Sequence, residues 1–131
     1  MNLQTFFTLY VISVPIFFII DMLWLGVVAS NFYRDRLGDL MQINWLAAAV
    51  FYSVFLFGLV FFAIYPQLQN GWQMVMLYGG LFGFFTYATY DLTNLATLKD
   101  WPLDLVIVDL VWGTVLGASV AVVTYLTYSA F

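Results

Sequence analysis

Four long apolar blocks constrain this chain more than any other feature. They run over about residues 6–29, 45–65, 72–95 and 103–128. A hydrocarbon layer ~30 Å thick takes ~20 helical residues to cross, and each block reaches that length. The blocks are too long for strands and do not alternate, so helices are expected. In lipid, a spanning helix satisfies every backbone N–H and C=O within its own segment. Composition points the same way. Hydrophobic residues make up 65% of the 131 and charged residues 8%, where soluble chains carry roughly 25% charged residues. A soluble domain of this length has no interior large enough to hide that much apolar surface. The expected fold is all-α, an integral membrane four-helix bundle with short loops, and residues 1–131 are expected to form a single transmembrane domain.

The connections carry the topology signal. Arg34 and Arg36 lie between the first two blocks and Lys99 between the last two, while the middle connection "PQLQNG" has no charge. With four spans, the first and third connections share a side. The excess of basic residues puts that side in the cytoplasm and both termini on the non-cytoplasmic side. Trp45, Trp72 and Trp101 stand at block ends, where indoles form interfacial belts. Pro66 stops the second block, Pro102 suits the first turn of the fourth, and Pro15 lies inside the first. The start, "MNLQTFF", has no positive n-region, so a retained first span is expected and not a signal peptide.

Several function classes drop out. The chain has no Cys and no His, which removes thiolate and imidazole metal sites, disulfides and cysteine nucleophiles. A net charge of −4 with three basic residues argues against nucleic acid and against a polybasic lipid clamp. There is no P-loop, Gly-x-Ser-x-Gly elbow, zinc helix or dinucleotide fingerprint. No cofactor and no metal is expected. A hard cation would still find oxygen ligands in Asp21, Asp91, Asp109 and Asn94.

Those three acids are the candidate site. Asp35, Asp39, Asp100 and Asp104 lie in or beside connections and read as solvated surface. Asp21 precedes the end of its block by ~12 Å and Asp91 precedes Lys99 by a similar distance. Asp109 follows the start of its block by ~9 Å, so all three share a depth in the cytoplasmic half. "FIIDMLWLG" and "VIVDLVWGT" both hold Asp-x-x-Trp, and "YDLTNL" holds Asp-x-x-Asn. Residues three apart share a helix face, so Trp24, Trp112 and Asn94 are each expected to partner the acid of their own helix. Gly79 and Gly83, and Gly113 and Gly117, have the small-xxx-small spacing that lets helices approach closely. An acid at the centre of a membrane helix costs ~2.5–3.5 kcal/mol on insertion scales. No basic residue lies inside a block to compensate. The acids therefore either hold protons, shared with Tyr90, Asn94, Trp24 and Trp112, or surround a cation. The plainer alternative is interhelical glue, an inefficient use of three acids when such bonds average ~0.6 kcal/mol. Intramembrane acids are functional candidates by default.

The stretches "DMLWLGVVASNFYRDRLGDL" and "FGFFTYATYDLTNLATLKDWPLDLVIVDLVWGTVL" resemble the bacterial membrane family catalogued as domain of unknown function 2177. The resemblance covers nearly the whole chain. It implies a compact four-helix protein of the bacterial inner membrane and supplies no substrate. It also sets Asp21, Trp24, Tyr90, Asp91, Thr93, Asn94, Thr97, Asp109 and Trp112 on motif positions of that family. These nine are the expected binding residues. The expected activity is that of a small proton-coupled or cation-binding transporter. The alternatives are a lipid-modifying or lipid-binding membrane enzyme, and an accessory subunit of a larger membrane complex. The lipid bilayer is the expected partner, with a homo-oligomer or larger assembly compatible.

Overall fold

A computed structural model describes residues 1–131. The chain is all-helical, 86% helix with no strand. Its helices are α1 (Leu3–Leu23), α2 (Ser30–Leu37), α3 (Trp45–Gly58), α4 (Trp72–Thr97) and α5 (Leu103–Ser129). Two are prolonged by π-helical turns, α1 over Trp24–Val28 and α3 over Leu59–Ile64, the latter followed by a 3₁₀ turn at Tyr65–Gln67. Three stretches are long and apolar enough to cross a membrane: Leu3–Val28, Trp45–Gln67 and Leu103–Ser129. α4 is of the same length, but Thr86, Thr89, Asp91, Thr93 and Asn94 leave its second half too polar to join them.

Local chemistry accounts for the boundaries. The Asn2 side chain accepts from the Gln4 N–H at 2.9 Å and caps α1. Asn44 does the same for α3 through the Ala47 N–H at 3.0 Å. These caps satisfy donors that a helix start leaves orphaned. Gly71 takes φ +88° to turn the chain into α4, a conformation that glycine adopts without a side-chain clash.

The connection carrying Arg34 and Arg36 is not the loop that its charge pattern indicates. It folds as α2, ending at Gly38 with φ +50°. Both arginines fall in its last turn, where a cation complements the helix dipole. The Arg36 guanidinium also lies 3.7 Å from the centre of the Phe32 ring, one turn back.

α4 and α5 form the tightest pair, antiparallel along a glycine seam. A Cβ at Gly79 would stand 2.5 Å from the Ala121 methyl and 2.6 Å from the Gly117 carbonyl. Gly83 abuts the Gly113 backbone, and Tyr87 covers Gly113. The apolar core lies at one end of the bundle, where Phe6, Leu9, Val60, Ile64, Leu116 and Val120 are fully or almost fully buried. The polar residues gather at the other end, near α2 and the turn between α4 and α5.

Candidate functional site

Asp21, Asp91 and Asp109 are all buried, at 3%, 0% and 6% exposure. They come from α1, α4 and α5, and none pairs with a basic residue. The one ion pair of the molecule joins Arg36 to Asp104 at 2.7 Å on the exposed surface.

The acids do not meet at a point. Asp21 and Asp109 face a common cavity of about 200 Å³. Its walls are largely aromatic, with Trp24, Trp112, Tyr52 and Tyr87 among the lining residues. Asp91 lies behind Asp109, beside the indole of Trp101. Neither carboxyl oxygen of Asp91 has a hydrogen-bond partner, and neither does the Trp101 N–H or Oδ2 of Asp21. No three acidic side chains converge closely enough to ligate one metal ion.

Trp24 and Trp112 stack on each other in the cavity wall, ring centres 4.4 Å apart and planes 7° from parallel. Trp24 opens the π-helical turn that prolongs α1. Such turns recur at functional sites, because the extra residue shifts side chains around the helix. The stack crosses the expected pairing of acids and indoles. Asp21 faces Trp112 of α5 and the Tyr52 hydroxyl of α3, not Trp24 three residues along. The Trp24 indole instead donates to the Tyr33 hydroxyl at 3.2 Å, and Tyr33 donates in turn to Asp109. Spacing of three residues defines a face of one helix, but packing decides which neighbour fills it.

The expected residues of α4 divide. Tyr90 is more than half exposed and lines a second cavity of about 260 Å³ together with Phe51, Thr86, Tyr87 and Asp109. Asn94 is half-buried near the end of the helix. Thr93 and Thr97 are exposed, and their hydroxyls donate to the carbonyls of Thr89 and Thr93 in their own helix. This back-bonding, usual for threonine within a helix, removes both from the cluster. Beside the acids stand Tyr33, Tyr52 and Tyr87, which nothing in the sequence singles out. Trp101, read as an interfacial anchor, turns its N–H inward beside Asp91.

Fold and site together define an α-helical membrane protein with carboxyls buried at one end of an apolar helix pack. The chain belongs to the family described as predicted membrane protein (DUF2177), which matches it over residues 6–126. No curated protein and no solved structure matches the chain.

Proposed function

We propose that the chain is a small membrane carrier whose buried carboxyls bind a proton or a cation. One observation carries this reading: Asp21 and Asp109 face a single cavity, Asp91 backs it, and no basic side chain neutralises any of them. Like charges side by side at low dielectric favour a shared proton, so Asp91 and Asp109 suit proton storage. Asp21, with one oxygen free of partners, suits the cation.

In this reading α4 is a fourth span. It runs along α5, itself apolar enough to cross, from Gly79 to Asp91. At 1.5 Å per residue its 26 residues reach ~39 Å, longer than a ~30 Å hydrocarbon layer. A four-helix bundle in the bacterial inner membrane follows, with the Arg34–Arg36 side in the cytoplasm and both termini outside. A homo-oligomer would cover some of the exposed apolar faces, and native mass spectrometry from mild detergent reads its size.

The test uses vesicles loaded with a pH-sensitive dye and challenged with sodium, potassium or tetramethylammonium chloride. Cation-driven proton movement should be lost in D21N, D91N and D109N, each with helical content intact by circular dichroism. Movement no greater than in empty vesicles, or unchanged in all three variants, removes the reading. A lipid-binding enzyme is the second reading, favoured by the exposed rim of the cavity at Tyr90. An altered lipid species in a deletion strain supports it, and an unchanged lipid profile counts against it.

A further inference from the structure

We infer that the cavity takes an organic cation, an alkylated ammonium head with an apolar tail, seated head-first between Asp21 and Asp109. This rests on the carrier reading and narrows it to a substrate class.

The walls select the head. An inorganic divalent ion needs a shell of about six oxygens or more. Here the three acids do not converge on one point, no three-ligand set exists, and most of the lining is aromatic. Aromatic faces carry negative potential at their centres and attract alkylated ammonium groups, which shed water easily. Two carboxyls beside Trp24, Trp112, Tyr52 and Tyr87 supply charge and an aromatic wall, each indole giving one face to the other. Asp21 adds an independent sign of a ligand. It is 3% exposed, it lines the cavity, and its Oδ2 accepts nothing from the protein.

Volume limits the head. The cavity holds about 200 Å³, and a dry cavity of about 150 Å³ accommodates benzene. A trimethylammonium group is close to benzene in bulk, so it fits with little room to spare.

The tail follows from the second cavity. It shares Phe51, Tyr87 and Asp109 with the first and so continues it around the Tyr87 ring. Its rim is open, with Phe51 42% and Tyr90 57% exposed. The opening lies between α3 and α4, which touch from Phe55 onward, through Phe82 against Phe55 at 5.5 Å and against Gly58. Phe51, one turn before Phe55, faces Thr86, Tyr87 and Tyr90 of α4 across the second cavity. The hydroxyl of Thr86, which lines this cavity, is already given to the Phe82 carbonyl. An alkyl chain can leave by this gap into the surrounding acyl chains. The ligand would then arrive sideways from the bilayer.

The experiment is calorimetric titration of the full chain in lipid nanodiscs with decyltrimethylammonium and, separately, tetramethylammonium, subtracting empty nanodiscs. Decyltrimethylammonium should bind at least tenfold more tightly than tetramethylammonium. D21N and D109N should each weaken both ligands tenfold or more, while D21E retains binding. F51A should weaken the long-tailed ligand several-fold more than tetramethylammonium, because Phe51 lines both cavities. Circular dichroism confirms that each variant is folded. No protein-dependent heat with either ammonium, or wild-type affinity retained in both D21N and D109N, overturns the inference. If sodium- or potassium-driven proton movement persists in vesicles while neither ammonium binds, the substrate class falls and the carrier reading stands. If both signals are missing, both fall.

Discussion

Tyr33 shows how one side chain joins a surface helix to the buried acids. Its hydroxyl accepts from the Trp24 indole and donates to Asp109, so it bridges α1, α2 and α5. Burial first, and then the Asp109 carboxyl, push the phenol above its ordinary value near 10.0. A raised native value means that the folded chain holds this proton more tightly than the unfolded one. The stabilisation is complete below about pH 10 and is lost as the pH rises toward the native value. In detergent, the wild type should lose melting temperature relative to Y33F above about pH 10, by at most about 5 °C per pH unit. Parallel melting curves for the two proteins across that range would show that the folded chain holds the Tyr33 proton no more tightly than the unfolded one. The residue scale also separates the side chains that the sequence marks out from those it does not. Asp21, Asp91 and Asp109 stand out because an acid is costly in an apolar block. Tyr33, Tyr52 and Tyr87 do not, because tyrosine is equally at home in a core, at an interface or in a site. The nine tyrosines of this chain offer no way to choose among them.

At the scale of elements, the glycine seam determines where α4 and α5 can sit. A Cβ at Gly83 would fall onto the Gly113 carbonyl, a backbone atom that cannot swing aside. Gly26, in the π-helical turn after α1, has nothing within 4 Å of a Cβ position. G83A should therefore destabilise the bundle by ~1–3 kcal/mol, the cost of overpacking. G26A should be neutral or stabilising by up to ~1 kcal/mol through helix propensity. Thermal unfolding of the two variants in one detergent separates them, and equal melting temperatures would mean that the seam is not the contact that holds the pair. The small-xxx-small spacing at Gly79, Gly83, Gly113 and Gly117 made this face legible, since few other patterns leave backbone so bare. α2 was hidden because its eight residues are mostly polar and carry no apolar stripe of their own. Its attachment is tertiary, through Tyr33 to Asp109 inside and Arg36 to Asp104 outside. The outer pair is exposed and contributes little. The π-helical turns left no mark either, because one inserted residue does not alter the composition of an apolar run.

At the scale of the whole molecule, function depends on which way α4 runs. The acids lie at the end of the bundle that holds α2 and the 98–102 turn, so a ligand entering from the cytoplasmic half requires that end to face inward. Arg34, Arg36 and Lys99 all lie there, and basic residues are retained on the cytoplasmic side. The chain has no cysteine, so a single introduced thiol reports its own location without background. Asp39, Gln69 and Thr97 are exposed and lie before α3, before α4 and at the end of α4. In intact cells stripped of outer layers, a membrane-impermeant maleimide should label Q69C at once. D39C and T97C should react only after permeabilisation, with labelling at least tenfold lower beforehand. If all three patterns invert, four spans survive and the orientation is wrong, which moves the acids to the outer half. If Q69C and T97C label from the same side, α4 does not cross. The seam with α5 would then have to lie outside the hydrocarbon, and carboxyls open to water would lose the reason to gather protons or a cation.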